Sequence, residues 1–281
     1  MVAREPDTVE VLGQACVRAH LADRVIDDIA SEPHDDRLSQ LLGSRVGPGF
    51  RSTIGKLLPE EALRASLLHL LLYGWVGASL VSGYAVQHAA ITLGVEEKLP
   101  AGTADHMAGI CAGFAPDASL IGYARSNGTI PSAHGPIAPP LDTEGEALHA
   151  VEPLRADGMR RFRRLDLRPV DAASVDFDAH FRDTHVDGEG VETIVHEYTV
   201  AGSVDTSTRT ITSVTADVRV LPWQECPGAI GSATRVRGMT LAQLRGRVRG
   251  EFVGTSTCTH LNDTLRAIAD LDALLNLRGE I

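Results

Sequence analysis

Three stretches decide the fold: Ser174-Val175-Asp176-Phe177-Asp178-Ala179-His180-Phe181-Arg182-Asp183, Glu192-Thr193-Ile194-Val195-His196-Glu197-Tyr198-Thr199-Val200-Ala201, and Thr210-Ile211-Thr212-Ser213-Val214-Thr215-Ala216-Asp217-Val218-Arg219-Val220. In each, β-branched and aromatic residues alternate with polar ones at a period of two, as in strands with one buried face. Glu189-Gly190 and Asp205-Thr206-Ser207-Thr208 supply short polar turns between them. Turns this short cannot carry a parallel crossover, so the strands must run antiparallel. Residues 174–220 therefore predict an antiparallel meander, which Pro222 ends.

Downstream, the pattern changes to a helical period. Cys226-Pro227-Gly228 precedes Ala229-Ile230-Gly231-Ser232-Ala233, with Pro just inside a helix start. Thr240 caps Leu241, Leu244 and Val248. Leu265, Ile268, Ala269, Leu271, Leu274 and Leu275 recur at i, i+3, i+4 spacing. Helices from 228–248 and 260–275 are thus expected to cover the sheet. The expected class is α+β, with a three-to-four-stranded antiparallel sheet packed by C-terminal helices.

Upstream of the meander, Arg160-Arg161-Phe162-Arg163-Arg164 is a basic run in an acidic chain. It reads as a solvated strand edge or as forks for an anionic group. Residues 115–150, with Gly128, Pro131, Gly135-Pro136 and Pro139-Pro140, read as a long loop or lid. From Leu67 to Ala85 no residue is charged, but Gly74, Gly77 and Gly83 break the run. Two buried helices fit 62–93 better than one membrane span. Their small residues leave room for an apolar ligand or a partner helix, and this much apolar surface predicts a homodimer or larger homo-oligomer. Residues 7–31 read as a helix capped by Asp7 or Thr8, since Val11, Leu12, Ala15, Leu21, Val25, Ile26 and Ile29 recur at helical spacing. A short helical piece at Leu38, Leu41 and Leu42 and a Gly-rich loop follow. The expected organisation is a helical N-terminal region (1–114), a linker (115–154), and a sheet with helices (155–281).

The chain has 281 residues, 43% of them apolar, enough for one large or two ordinary domains. A formal net charge of −11 repels phosphate backbones and excludes nucleic acid as the expected partner. Four widely spaced cysteines do not form a secreted disulfide framework, and the acidic N-terminus lacks an apolar signal core. A cytoplasmic location is expected, with a small-molecule substrate as partner and no membrane.

The chemistry-bearing residues gather in boxes. Cys258-Thr259-His260-Leu261-Asn262-Asp263 opens the last helix. There, free N–H groups favour a thiolate, and His260 and Asp263 share one face. His180, Asp183 and His185 end the first strand of the meander, and His196 and Glu197 lie in the second. Strand alternation sends His180 and Arg182 one way and Asp183 and His185 the other, so not all can serve one site. His180, Asp183, His196, Glu197, His260 and Asp263 are the candidates for proton transfer. His196, Cys226, Cys258 and His260 are the set expected to converge as metal ligands, and this N/S mix suits zinc or iron. His106 and Cys111, five apart, are not spaced to share a metal on one helix face.

His180-Phe181-Arg182-Asp183, His196-Glu197-Tyr198, Leu221-Pro222-Trp223-Gln224-Glu225-Cys226-Pro227 and Cys258-Thr259-His260-Leu261 occur in order over residues 155–275. They resemble a bacterial domain of unknown function, family 2889, a resemblance that implies no particular activity. A fold-level likeness is to the IscU/NifU-type iron–sulfur scaffolds. Cys226 to Ala233 is similar to their first helix box and Cys258-Thr259-His260 to their second, while Ile194-Val195 replaces their first cysteine. That likeness implies an antiparallel sheet with a metal site at its end.

The functional expectation is an enzyme of lyase/hydratase or hydrolase type. It would act on a small, mainly apolar substrate by metal-assisted or His/carboxylate acid–base chemistry. The alternative is a non-catalytic metal or iron–sulfur binding protein of scaffold type. No P-loop, dinucleotide fingerprint, nucleophile elbow or His-Glu-x-x-His motif occurs.

Overall fold

A computed structural model describes residues 1–5, 10–141 and 151–279. The chain divides into two compact units. The first comprises Met1–Gly83 with the described residues of Pro139–Pro153 and Asn276–Ile281. Strands β1 (Val2–Arg4) and β2 (Val11–Gln14) pair, as do β3 (Cys16–Ala22) and β4 (Val25–Glu32). A 3-10 turn at Asp36–Leu41, capped by the Asp35 carboxylate, leads to α1 (Phe50–Leu57), α2 (Pro59–Leu63) and α3 (Leu67–Val81). Ile26, Leu38, Leu41, Phe50, Ile54, Leu58, Leu72 and Val76 form this unit's core.

The helix expected over 7–31 is therefore a set of strands. Val17, Ala19 and Leu21 pack on the core at a period of two. Between β3 and β4 the chain reverses at Asp23 and Arg24, both at positive φ (49° and 66°). A reversal built without glycine gave no turn signal. The expected cap at Asp7 or Thr8 lies outside the described residues.

The second unit comprises Tyr84–Ala138 and Leu154–Leu275. It begins with α4 (Gly83–Leu93), α5 (Thr103–Met107) and α6 (Ser119–Asn127). Helix α6, ended by Gly128 in the left-handed region (φ 67°), replaces part of the loop expected over 115–150; residues 142–150 of that loop lie outside the described residues. Leu67–Leu93, the stretch of α3 and α4, is long and apolar enough by length and composition to cross a membrane, and 33% of its most apolar window is buried.

The four-stranded antiparallel sheet follows, in the order β5 (Met159–Pro169), β6 (Ser174–Val186), β7 (Glu192–Asp205), β8 (Thr210–Val220). The basic run is the fourth strand, at one edge. A 3-10 stretch at Cys226–Val236, then α7 (Leu241–Glu251), α8 (Thr259–Ala267) and α9 (Leu271–Gly279), completes the chain's described part. One sheet face presents Val175, Phe177, Ala179, Phe181, Tyr198, Val200 and Val204 to Ala229, Ala233, Leu241, Leu244, Leu261, Leu265 and Ile268. This is the α+β arrangement the alternation predicts. Gly202 permits the close approach of β8: a Cβ there would meet the Ser213 carbonyl oxygen at 2.2 Å.

Candidate functional site

The apolar face of the sheet turns polar at one end. Across β5, β6 and β7, Arg161, Asp183 and His196 stand directly opposite one another. Register thus places a cation, a carboxylate and an imidazole in one row. Immediately after this row β7 carries a bulge: Asp183 faces His196 while Thr184 faces Ile194, so Val195 is the extra residue. Bulges recur beside functional sites because they re-aim side chains.

Helix α8 closes the row from above. His260 stacks on His196 with ring centres 3.6 Å apart and planes 21° from parallel. His196 Nδ1 lies 3.2 Å and His260 Nε2 3.9 Å from Asp183 Oδ2. The His196 contact has ion-pair distance but not hydrogen-bond alignment, and this buried nitrogen has no hydrogen-bond partner. Asp183, His196 and His260 each offer a donor atom, all within 4.8 Å of one another. Asp183 is fully buried and His196 nearly so, whereas the His260 side chain is 25% exposed. His260 is the member of the cluster that meets solvent.

Arginines set the electrostatics. Arg161 donates from Nε to Asp183 Oδ1 and from Nη2 to Oδ2, each at 2.8 Å, and from Nη1 to Asp263 Oδ2 at 3.0 Å. Asp263 also accepts from Arg163 (2.9 Å) and from Arg266 (2.7 Å), one helical turn further along α8. Burial pushes the Asp183 carboxyl up, but the Arg161 hydrogen bonds and then His196 outweigh it and hold the group well below the usual carboxylate range. For Asp263, burial is likewise outweighed by Arg163, Arg161 and Arg266. Burial, then the neighbouring His196, drives the His260 pKa well below that of a free imidazole. Two imidazoles stacked this closely cannot both carry charge cheaply. At neutral pH the site therefore holds two ionised carboxylates, three guanidinium groups and a neutral His260.

The expected residues divide between two sheet faces. Asp183, His196, His260 and Asp263 come together. His180 and Glu197 lie on the other face, as the alternation requires for His180. There the Glu197 carboxylate oxygen Oε1 lies 2.8 Å from His180 Nε2 and accepts from Arg182 at 3.0 and 2.8 Å. Of the expected ligand set of His196, Cys226, Cys258 and His260, only the two histidines come together, with Asp183 as a third candidate donor. Cys258 is buried at the start of α8, where its Sγ accepts from the Tyr198 hydroxyl at 3.2 Å. Cys226 packs on Gly113, where a Cβ would come within 2.5 Å of its Sγ. Burial, and then Cys258, push the Cys226 thiol up to about 12. For Cys226, desolvation thus overrides any benefit from a helix start, and both cysteines are buried in the core.

Arg161 and Arg163, read from the sequence as a strand edge or as forks for an anionic group, and Arg266, not singled out there, were not among the expected site residues. Their signal was present: Arg161 and Arg163 are two apart in a strand, and Arg266 follows Asp263 by three in a helix. No curated protein and no solved structure matches this chain, and nothing else supports the likeness to the IscU/NifU-type scaffolds. Residues 159–273 match the model of the family described as protein of unknown function (DUF2889), so the segment holding every residue of the polar cluster is similar to that family.

Proposed function

We propose that the chain is an acid–base enzyme of lyase/hydratase or hydrolase type, with His260 as the proton-transferring group toward a small-molecule substrate. The observation that carries this reading is the neutral, solvent-reaching His260 stacked on His196 above a buried, ionised Asp183. A neutral imidazole can take a proton from a bound substrate. The charge it then acquires is met by Asp183 at 3.9 Å. His196 holds the ring from one side. Arg161 fixes the Asp183 carboxylate in place through its two-point fork. All four cysteines are free, which suits a reducing compartment and the expected cytoplasmic setting.

A second reading has its own observation. Three donor atoms within 4.8 Å, one of them an orphaned buried nitrogen, form a two-His, one-carboxylate set of the kind that holds zinc or iron(II). Such an ion would polarise a substrate oxygen or activate a water. Against it stands the charge already present: both Asp183 oxygens are engaged by Arg161, and the arginines outnumber the carboxylates.

The test is turnover of a metabolite extract by purified protein, followed by mass spectrometry, before and after chelation. The acid–base reading expects a component that gains or loses water, or is cleaved, with wild type. It expects the change to survive chelation and to vanish with His260→Ala. Turnover that His260→Ala retains per folded molecule, or no turnover at all, overturns it. Turnover lost on chelation and restored by zinc or iron selects the second reading.

A further inference from the structure

A second group of histidines lies in the same compact unit, away from the stacked pair. Helix α4 supplies His88, the segment after α6 supplies His134, and the end of β6 supplies His185. The His88 ring centre lies 4.4 Å from that of His185 and 5.5 Å from that of His134. Tyr84, one turn before His88 on α4, packs edge-on against His185 at 5.8 Å.

This group is framed on every side. Residues 130–138 cross the end of β7: Ile194 N donates to the Pro136 carbonyl at 2.9 Å, and Ala138 N to the Glu192 carbonyl at 2.8 Å. Gly135 is pressed so close that a Cβ would meet the Ile194 carbonyl oxygen at 1.8 Å. Helix α4 is tied to the same segment. Gln87 donates to the Ile130 carbonyl at 2.9 Å, and the Ser132 hydroxyl bonds to the Tyr84 hydroxyl at 3.3 Å. The three histidines therefore come from three backbone pieces already fastened to one another.

What the packing leaves unexplained is polar. His185 is 1% exposed, and its Nε2 is buried without a hydrogen-bond partner. The buried Nδ1 of His88 is likewise unpartnered. Buried polar atoms are rarely left unmatched, so two in adjacent rings point to a ligand. A divalent metal satisfies imidazole nitrogens that have no proton donor or acceptor nearby.

We propose that His88, His134 and His185 form a binding site for a divalent transition metal, with zinc the best-suited ion, separate from the Asp183 cluster. Neutral imidazoles match zinc in softness, and three of them make a complete protein ligand set for a site that keeps one open position. The rings are tilted and edge-on rather than aimed at one point. Capture therefore requires them to turn, most of all His134, which is exposed on its segment.

The experiment uses the full chain, stripped with chelator and titrated with zinc by calorimetry, and with cobalt(II) by visible absorption. Wild type is expected to bind with tetrahedral-type cobalt absorption. His88→Ala and His134→Ala should each weaken binding by more than about 100-fold, since a lost ligand costs more than a lost outer-shell partner. His260→Ala should leave this binding intact. His134 is exposed, so His134→Ala keeps the fold and carries the test if His88→Ala does not. Wild type that binds no zinc, or binding that persists in His134→Ala, overturns the proposal. Binding lost in His260→Ala but kept in His134→Ala places the metal at the other cluster and overturns it equally.

Discussion

Arg161→Met is the sharpest test of how the polar cluster is held. The substitution keeps much of the side chain's apolar length over the Phe181 ring, which the guanidinium now covers at 4.9 Å. It removes the two 2.8 Å bonds to Asp183 and the 3.0 Å bond to Asp263. Asp263 keeps Arg163 and Arg266. Asp183 keeps only the two imidazoles, the poorly aligned His196 contact at 3.2 Å and His260 at 3.9 Å, while fully buried. Breaking a buried pair by removing one partner costs about 3–5 kcal/mol, because the remaining charge is stranded. A typical fold has only about 5–15 kcal/mol to lose.

The pH dependence gives the second half of the test. In wild type the folded Asp183 pKa is depressed, so its contribution is present above the unfolded value near 3.9 and is lost as pH falls through the folded value. In Arg161→Met, burial is opposed only by His196, so the folded pKa rises and protonation relieves the stranded charge as pH falls. The stability gap between the two proteins should be about 3–5 kcal/mol at pH 7 and should shrink toward pH 4. Urea unfolding followed by circular dichroism at both pH values measures it, and Arg161→Met with Asp183→Asn should recover part of the loss. A gap below about 1 kcal/mol at pH 7, or one independent of pH, refutes the idea that Arg161 neutralises a buried carboxylate.

Two further outcomes follow from burial. The depressed His260 pKa means the unfolded chain binds a proton first as pH falls below about 6.5, so stability should drop by up to about 1.4 kcal/mol per pH unit until the folded value is reached. His260→Asn should remove that slope in denaturation curves between pH 7 and 5; an unchanged slope sinks the assignment. Among the thiols, Cys111, Cys226 and Cys258 are buried and Cys16 is only partly covered. With a thiol pKa of about 12, Cys226 is thiolate in roughly one molecule in ten thousand at pH 8. A disulfide reagent at pH 8 should therefore modify Cys16 first and the other three only in denaturant, and rapid reaction of more than one thiol contradicts the burial described.

The sheet was legible because its information is local. Period-two alternation with short polar turns leaves one topology for residues 174–220, and the observed register preserves it. The helix expected over residues 7–31 failed because a few apolar positions satisfy a helical period by accident, while the turn at Asp23 and Arg24 lacks glycine. Helix α6 was hidden because Gly122 lies within it and Gly128 and Pro131 follow closely. For the site, the alternation separated His180 from Asp183 correctly, since parity along a strand needs no tertiary knowledge. The cysteines were misassigned because ligand chemistry was weighed without burial. A helix start lowers a thiol pKa only where the sulfur is not walled off, and Cys226 is packed on Gly113.

The arginines are the instructive omission, because they decide between the two chemistries the cluster could support. Read alone, Arg160 to Arg164 looks like an exposed edge or a fork for an anionic ligand. The pairing of β5 with β6 turns Arg161 and Arg163 inward, and α8 brings Arg266 to the same carboxylate. Three fixed positive charges then face Asp183 and Asp263. A divalent ion at Asp183 would add two more beside Arg161 in a water-poor setting, where repulsion between like charges is least screened. A single proton moving onto His260 adds one charge, transiently, at the cluster's solvent-facing edge and 3.9 Å from a carboxylate. The distribution of fixed charge therefore favours the proposed proton transfer at the stacked pair over a metal ion there.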